Sequence, residues 1–425
     1  MPTLKTVTLG CKVNQYETEY IRGGLMQLGY REAVVGGPVD LCIVNSCTVT
    51  SAADAKSRKA IRRLARVYPR AEIIVMGCYA TRAAEEVAAM PGVVEVLTDK
   101  RRLPDLLARF GLLDPPEGIS AFGRRHRAYV KVQDGCRMGC SYCIIPSVRP
   151  VLASRAPDEV IAEIGRLVDA GHREIVITGI HLGHYGADLP DSNAGLARLV
   201  GRIARLDGEF RLRISSIEAA EATPQLLAVM ADHPTRICPH LHLSMQSGSD
   251  AVLRRMNRRY SVRQFVERCE QVRRQLDRPA LTTDVIVGFP GETDADFAAT
   301  RRVVEAVGFS KVHVFRFSPR QGTPAAEMPD DVAAAVKRRR AAELSQLARR
   351  LGHEFFESLV GRRLQVLVET PVESRPGSLR GTSARYAPVE LPVEMPGGNE
   401  LIGRLVSVNA VAVVEGRIRT GRGDT

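Results

Sequence analysis

Short apolar runs alternate with helical stretches through the middle of the chain, and this alternation limits the fold more than any other feature. Because helical patterns separate the runs, the strands should be parallel and joined by helical crossovers. Six strand-helix units over about 230 residues predict an open, partial (β/α)6 barrel, short of the eight units of a closed barrel. The predicted strands are 128–133, 174–178, 211–217, 240–245, 281–287 and 311–317.

The residues before this barrel alternate in the same way and predict a separate parallel sheet. Its strands are 5–9, 41–45, 73–76 and 94–97, with helices at 17–28 and 51–67. Cys11, Cys47 and Cys78 each follow the end of one of these strands. Ligands bind at the carboxyl edge of open parallel sheets, so the three thiols are expected to converge there.

The last part of the chain changes to short β-type runs separated by Pro and Gly. Runs at 364–369, 389–393, 401–408 and 411–418 predict a small all-β barrel, and a long helix at 331–357 precedes it. The sequence therefore predicts an α/β chain of three domains. Their expected bounds are 1–113, 122–355 and 358–422.

A compact cysteine motif carries the clearest chemical signal. Cys136, Cys140 and Cys143 follow the first barrel strand, at the catalytic end of such folds. A C-x3-C-x2-C loop can bind three irons of a [4Fe–4S] cluster and leave the fourth iron free to bind S-adenosylmethionine. Structural zinc normally needs four ligands, and no fourth Cys or His is nearby in the sequence. The motif thus predicts radical cleavage of S-adenosylmethionine.

The scattered triple of Cys11, Cys47 and Cys78 is a weaker signal by itself. Each cysteine follows a strand and a small residue, which favours a second cluster. Three separate buried cysteines are the alternative, since free cysteine is often buried. The spacing leaves both open.

Polar and small residues end four further barrel strands, where a cofactor across the barrel mouth would need hydrogen-bond partners and close backbone approach. The candidate cofactor contacts at these ends are Thr178, Gly179, Ser216, Glu218, Gln246 and Gly288.

The charge balance favours a polyanionic partner. The chain has 60 Lys and Arg against 48 Asp and Glu, a net charge of +12, and such an excess suits nucleic acid. Genome composition is the alternative cause, because 52 of the 60 are Arg. No secretion signal is visible, and no apolar run reaches the roughly 18 to 20 residues that span a bilayer. A cytoplasmic protein with no membrane partner is expected.

These motifs resemble the radical S-adenosylmethionine methylthiotransferases along nearly the whole chain. The run GCRMGCSYCIIP at 135–146 is similar to the radical signature of that family. Cys11, Cys47 and Cys78 match its ligand positions for a second cluster, and the residues from 358 onward resemble its TRAM domain, a small RNA-binding barrel.

The resemblance implies two [4Fe–4S] clusters and S-adenosylmethionine as cofactors. It also implies that Tyr142 contacts the adenine of the cofactor, and that Ser216 and Glu218 lie near its ribose and methionine portions. Thr178 and Gly179 stand where many radical enzymes carry a Gly-Gly-Glu motif, so the contact to the methionine amine is left open.

Three stretches resemble the branch of the family that acts on N6-threonylcarbamoyladenosine in tRNA: TLGCKVNQYE at 8–17, TGIHLG at 178–183 and FSPRQGT at 317–323. That branch adds a methylthio group to C2 of the nucleoside at position 37. The implied partners are the tRNA anticodon loop, a sulfur donor and an electron donor such as flavodoxin or ferredoxin.

Arg380, Arg385 and Tyr386 are the candidate RNA contacts in the TRAM-like segment. Arg pairs with phosphate, and aromatic rings stack on bases. A solvated charged face is the alternative for each residue.

Other functions stay open on the sequence alone. A methylthiotransferase of the same family could act on isopentenyladenosine-37 of tRNA or on a ribosomal protein. A non-enzymatic RNA-binding protein holding zinc belongs to a different class. The basic charge and the residues after Cys11 favour the threonylcarbamoyladenosine reaction.

Overall fold

A computed structural model of the protein describes residues 1–123, 125–190, 195–393, 395 and 398–421. Three regions follow one another along the chain: a parallel sheet with helices, an open barrel of parallel strands, and a small closed β-barrel. This architecture confirms the predicted α/β fold class. No described helix is both long and apolar enough to cross a membrane.

The N-terminal region is a five-stranded parallel sheet. Its strands are β1 (Thr3–Thr8), β2 (Arg31–Glu32), β3 (Leu41–Ser46), β4 (Glu72–Gly77) and β5 (Val93–Leu97), in the order β2-β1-β3-β4-β5. Its helices are α1 (Lys12–Gln27), α2 (Ser51–Val67), α3 (Cys78–Arg82), α4 (Ala84–Ala88) and α5 (Leu103–Arg109). Every residue of β3 is buried, as expected for an apolar strand covered on both faces. The sequence misses β2, because both its residues are polar and exposed.

The central region carries six parallel strands in chain order. The strands of this region are β6 (Arg127–Asp134), β7 (Ala153–Ser154), β8 (Glu174–Gly179), β9 (Arg211–Ile214), β10 (His240–His242), β11 (Ala280–Val287) and β12 (Lys311–Arg316). Parallel bridges from Leu212 to Ile237 and from Ile217 to Leu243 join the β6-β8-β9 set to the β10-β11-β12 set. Short β7 pairs antiparallel with β6 at the open edge. The predicted partial barrel is confirmed.

Helices follow the barrel strands. They are α6 (Ile145–Val148), α7 (Pro157–Asp169), α8 (Leu196–Ala204), α9 (Pro224–Asp232), α10 (Asp250–Arg255), α11 (Val262–Gln275), α12 (Asp294–Val307), α13 (Pro324–Glu327) and α14 (Ala334–Glu357). Capping explains several of their ends. Ser261 and Gln264 form a capping box at the start of α11, and Gly308 ends α12 with φ 58°.

The C-terminal region is a closed five-stranded barrel, consistent with the expected TRAM fold. Its strands are β13 (Arg363–Pro371), β14 (Ser378–Ser383), β15 (Pro388–Pro392), β16 (Leu405–Val414) and β17 (Arg417–Thr420), in the order β13-β14-β15-β17-β16. Glu415 and Gly416 have φ of 52° and 71° and form the tight turn between the last two strands. The sequence misses β14, because its Ser, Gly and Thr residues are typical of a loop.

A buried charge cluster joins the C-terminal barrel to the central one. Glu174 accepts hydrogen bonds from Nε of Arg127, Arg211 and Arg213 at 2.6 to 2.9 Å. Burial alone would raise the pKa of the Glu174 carboxyl, but the neighbouring guanidinium groups hold it well below its usual range. Arg211 also donates to Thr382 O at 2.8 Å, and Arg213 donates to Ala384 O at 2.8 Å. The two arginines therefore bind both barrels at once.

Replacing Glu174 with Gln should leave three arginines without their buried anion. We expect the free energy of unfolding, measured by urea denaturation, to fall by about 3–5 kcal/mol. Arg202→Met is the matched control, because it breaks only the exposed pair between Arg202 and Asp158 and should change stability by less than about 0.5 kcal/mol. If Glu174→Gln lowered the free energy of unfolding as little as Arg202→Met does, the charge cluster would not join the two barrels.

Candidate active site

Three thiols lie at the carboxyl edge of the N-terminal sheet. Cys11 follows β1, Cys47 follows β3 and Cys78 follows β4, and these strands are direct neighbours. Cys11 is exposed, Cys47 half-buried and Cys78 buried. A Cβ atom on Gly10 would lie 3.1 Å from Cβ of Cys47, so the first two strand ends approach closely. The parallel topology brings the three cysteines together as the sequence predicts.

Asn14 ties two of these strand ends together. Its Nδ2 donates to Leu9 O at 2.9 Å and to Ser46 O at 3.1 Å. These carbonyl oxygens lie close to Cys11 and Cys47 in the chain. The amide thus fixes the backbone that presents both thiols.

A buried arginine from the barrel reaches this edge. Nε of Arg149 lies 3.4 Å from Sγ of Cys78. Its terminal nitrogens donate to Glu17 at 2.8 and 2.9 Å and to Asp134 at 2.8 Å, and Lys131 joins both acids at 3.1 Å. The positive charge of this guanidinium would complement the negative charge of a metal-bound cysteine at this position.

A second ion-pair group lies next to Cys47. Asp54 on α2 accepts from Arg82 at 2.6 Å and from Arg320 at 2.7 Å, and the hydroxyl of Thr48 donates to the same carboxylate at 2.6 Å. Arg320 belongs to the FSPRQGT stretch after β12. The N-terminal sheet is therefore bound by charge to both the first and the last strand connections of the barrel.

The compact cysteine motif forms a loop directly after β6. The amide of Cys136 donates to Arg149 O at 3.2 Å, and that of Cys143 donates to Cys140 O at 3.0 Å. Gly135, which starts the loop, has φ 79°, and a Cβ there would lie 2.0 Å from Val151 O. Only glycine fits this position. Burial raises the pKa of the Cys143 thiol to about 12, so deprotonation there needs a bound metal.

Two basic side chains contact the thiols of this loop. Nδ1 of His181 lies 3.6 Å from Sγ of Cys136, and its other nitrogen contacts Glu221. A terminal nitrogen of Arg258 lies 3.3 Å from Sγ of Cys140. His181 lies three residues before His184, so the sequence draws attention to it as a possible ligand. The sequence does not predict that His181 contacts the thiol of Cys136. Arg258 has no local sequence signal.

Two groups of side chains outside the cysteine triples are close enough to share one metal ion. Two groups of metal-ligating side chains in the described residues have all their ligand atoms within 4.8 Å: His181 with His184 and Glu221, and His242 with Asp284 and His313. Neither cysteine triple is among them. The cationic neighbours of Cys78 and Cys140 fit an anionic cluster.

The candidate cofactor contacts on β8 and β9 lie beside the cysteine loop. A Cβ on Gly179 would lie 2.8 Å from Oε1 of Gln133, and Nε2 of Gln133 donates to Gly135 O at 2.7 Å. Thr178 accepts from the hydroxyl of Ser215 at 3.3 Å. Ser216 is exposed and lines the barrel lumen. Gly179 therefore lets β8 contact the side chain that fixes the loop.

The remaining candidates lie on the other side of the mouth. Glu218 pairs with Arg258, the residue that also contacts Cys140. Gln246 and Gly288 have φ of 62° and 70°, so both strand ends turn through the left-handed region. The ring of Tyr142 meets Phe289 edge-on with centroids 6.5 Å apart. Their cofactor contacts stay predictions.

The three candidate RNA contacts separate in the structure. Arg380 is exposed on β14. Arg385 instead donates from Nε to Arg278 O at 2.9 Å, and the ring of Tyr386 lies 3.8 Å from the guanidinium of Arg213. Two of the three candidates therefore face the central barrel, and Arg380 faces solvent.

Comparison with known proteins agrees with this geometry. Residues 130–304 match the Radical SAM superfamily, and residues 3–99 match a family described as Uncharacterized protein family UPF0004. A solved radical S-adenosylmethionine methyltransferase from Kitasatospora setae has a TM-score of 0.56 at 14% identity, covering 77% of this chain and 75% of that one. At that identity the likeness shows the fold alone.

Curated relatives extend over nearly the whole chain. A threonylcarbamoyladenosine tRNA methylthiotransferase of Bacillus subtilis is 39% identical over 96% of this chain and 93% of its own length. One from Thermotoga maritima is 36% identical over 100% and 98%. A tRNA-2-methylthio-N(6)-dimethylallyladenosine synthase of Mycolicibacterium smegmatis is 34% identical over 94% and 82%.

An open barrel with a three-cysteine loop at its mouth defines a radical S-adenosylmethionine protein, for which S-adenosylmethionine and [4Fe–4S] clusters are the cofactors. Within that superfamily, the chain belongs to the methylthiotransferase family. The family resemblance and the cofactors predicted from the sequence are confirmed.

Replacing Gly135 with Ala should displace the cysteine loop, because the new methyl group would collide with Val151 O. The strained φ alone costs about 1–3 kcal/mol. We expect less iron per chain after anaerobic reconstitution. Gly165→Ala is the control, since nothing lies within 4 Å of a Cβ there. Equal iron content in the two variants would contradict the close approach of this loop to Val151.

Proposed function

We propose that this protein adds a methylthio group to C2 of N6-threonylcarbamoyladenosine at position 37 of tRNA. The observation that carries the proposal is the pairing of two cysteine triples through Arg149. Its side chain lies 3.4 Å from Cys78, and its backbone oxygen accepts from the amide of Cys136 at 3.2 Å. One residue thus contacts both cysteine groups, which supports a reaction that uses both on one substrate.

The two triples have separate roles in this proposal. When bound at Cys136, Cys140 and Cys143, a [4Fe–4S] cluster supplies the electron that cleaves S-adenosylmethionine. Cys11, Cys47 and Cys78 would hold a second cluster for the sulfur that is transferred. Arg149 and Arg258 would stabilise the thiolates, and the half-buried Tyr142 would contact the cofactor adenine.

The choice of nucleoside is supported by the relatives. Those named for threonylcarbamoyladenosine are 36 to 40% identical to this chain, and those named for dimethylallyladenosine are 34 to 35% identical. The dimethylallyladenosine reaction is the second candidate, because its relatives also align over most of the chain.

We also propose a sulfur donor and an electron donor such as flavodoxin or ferredoxin as partners, since the reaction consumes both sulfur and electrons. A tRNA substrate would place the protein in the cytoplasm.

Cysteine variants test the division of roles. In a host lacking this protein, Cys140→Ala should give no methylthiolated nucleoside, and the purified variant should form no 5′-deoxyadenosine. Cys47→Ala should still form 5′-deoxyadenosine but should give no methylthiolated nucleoside. Mass spectrometry of tRNA nucleosides identifies the product and distinguishes the threonylcarbamoyl form from the dimethylallyl form.

Cys269→Ala is the matched control for both variants, because Cys269 is buried in α11 and belongs to neither triple. It should retain methylthiolation. Full methylthiolation by Cys47→Ala would refute the role of the N-terminal triple, and loss of only the dimethylallyl product in the host would move the protein to the second candidate.

Arg380 is the proposed phosphate contact of the C-terminal barrel, since it is exposed on β14 and has no ion-pair partner among the described residues. Arg380→Met should weaken tRNA binding and reduce the slope of log affinity against log salt by about one. Filter binding across a salt series measures both. Arg63→Met, on the exposed face of α2, is the control; identical slopes for the two variants would remove Arg380 from the RNA contact surface.

A further inference from the structure

The barrel encloses a cavity of about 280 Å³ to which all three regions contribute. Lys12 reaches it from the N-terminal region, one residue after Cys11. Ser216 and His242 line it from the central barrel, and Tyr386 lines it from the C-terminal barrel. The cavity therefore adjoins both a proposed cluster ligand and a proposed cofactor contact.

The lining of this cavity is basic. No described Asp or Glu lines it directly, although the carboxylate of Asp284 lies 3.3 Å from Nε2 of the lining His242. Two of the lining cations have acidic partners outside the cavity: Arg213 pairs with Glu174 at 2.9 Å, and Arg385 pairs with Asp277 at 3.1 Å. The basic lining side chains are Lys12, Arg213, Lys311, Arg385, His240, His242 and His313.

Lys12 and Lys311 have no direct ion-pair partner among the described residues, although the Asp284 carboxylate lies near enough to act on Lys12. Neither ammonium group donates a hydrogen bond to the residues that the structure describes; Lys12 is half-buried, and Lys311 is exposed at the edge of the cavity. Burial lowers the pKa of His313, and the charges of Lys311 and Lys12 lower it further while Asp284 opposes them. The positive charges of both lysines therefore reach the part of the lumen that His313 lines. The lining cations outnumber the nearby Asp284 carboxylate, and an excess of positive charge in a cavity is complementary to an anion.

The same charge argues against a metal ion here. His242, Asp284 and His313 have ligand atoms within 4.8 Å of one another. Two ammonium groups in the same cavity would repel a cation bound to them.

We infer that this cavity binds the carboxylate of the threonylcarbamoyl group, with Lys12 and Lys311 as the residues that select it. The inference rests on the proposed function. Threonylcarbamoyladenosine carries an anionic carboxylate and a hydroxyl on N6, whereas dimethylallyladenosine carries a neutral hydrocarbon chain. A charge-assisted hydrogen bond forms only with the first, and burying hydrocarbon beside free ammonium groups is unfavourable. The cavity thus discriminates between the two candidate nucleosides.

The test compares two anticodon stem-loop RNAs with the reconstituted full-length protein. One RNA carries threonylcarbamoyladenosine, and the other carries its carboxamide, which has the same shape without the charge. The wild-type protein should prefer the carboxylate by about 10- to 100-fold in kcat/KM. Lys311→Met and Lys12→Met should each lose most of that preference by slowing the carboxylate reaction alone. Lys59→Met, on exposed α2, should keep it.

The outcomes separate this inference from the function beneath it. Failure of the wild-type protein to methylthiolate either RNA would overturn the proposed function. Equal rates on both RNAs would overturn only the carboxylate site. If Lys311→Met slowed the reaction equally on both RNAs, Lys311 would contact an RNA phosphate instead. That result would also overturn the carboxylate site. Lys12 is next to Cys11, so the iron content of Lys12→Met must be measured to show whether the substitution disturbs the N-terminal cluster. If Lys12→Met loses iron, the result for Lys311→Met alone tests the carboxylate site.

Discussion

The buried guanidinium of Arg149 fixes the N-terminal sheet against the barrel. Its side chain is 1% exposed and lies between Glu17 of the sheet region and Asp134 at the end of β6. Separating the two regions would leave these charges buried without partners, at a cost of several kcal/mol. The same residue contacts Cys78 through its side chain and Cys136 through its backbone oxygen, so the ion pairs that fix Arg149 also keep the two cysteine groups close to each other.

The direction of the strands explains why such a joint is possible. In the sheet and in the barrel, the cysteines follow the carboxyl ends of parallel strands. Each region therefore presents its thiols at one edge, where loops rather than strands determine the chemistry. Bringing two such edges together creates a two-centre site from two ordinary α/β units. Arg149 and Arg320 belong to the connections at that edge, so the ion pairs that join the regions also surround the thiols.

Local sequence patterns predicted most of the fold and the placement of the cysteines just after the ends of parallel strands. Helix α2 has the predicted bounds, and the six barrel strands occur in order, because apolar periodicity is a local property. The ion pairs had no such signal. Arg149 meets Glu17 across 132 positions and Arg258 meets Cys140 across 118, and no pattern in one sequence joins residues so far apart. Tyr386 was predicted to contact RNA because aromatic rings stack on bases, whereas in the structure its ring packs against the guanidinium of Arg213 on β9.

The position of Tyr386 changes what the C-terminal barrel contributes. Its residues accept hydrogen bonds from Arg211 and Arg213, and Tyr386 closes part of the lumen that Lys12 also lines. The small barrel thus lines the cavity proposed for the threonylcarbamoyl group and is also a candidate RNA-binding module. Removing the small barrel would expose the buried guanidinium groups of Arg211 and Arg213, open the cavity and remove the candidate RNA contacts. A loss of tRNA binding in such a truncation could not be assigned to any one of these three changes. An exposed side chain such as Arg380 isolates the RNA contact, because it touches neither the charge cluster nor the lumen.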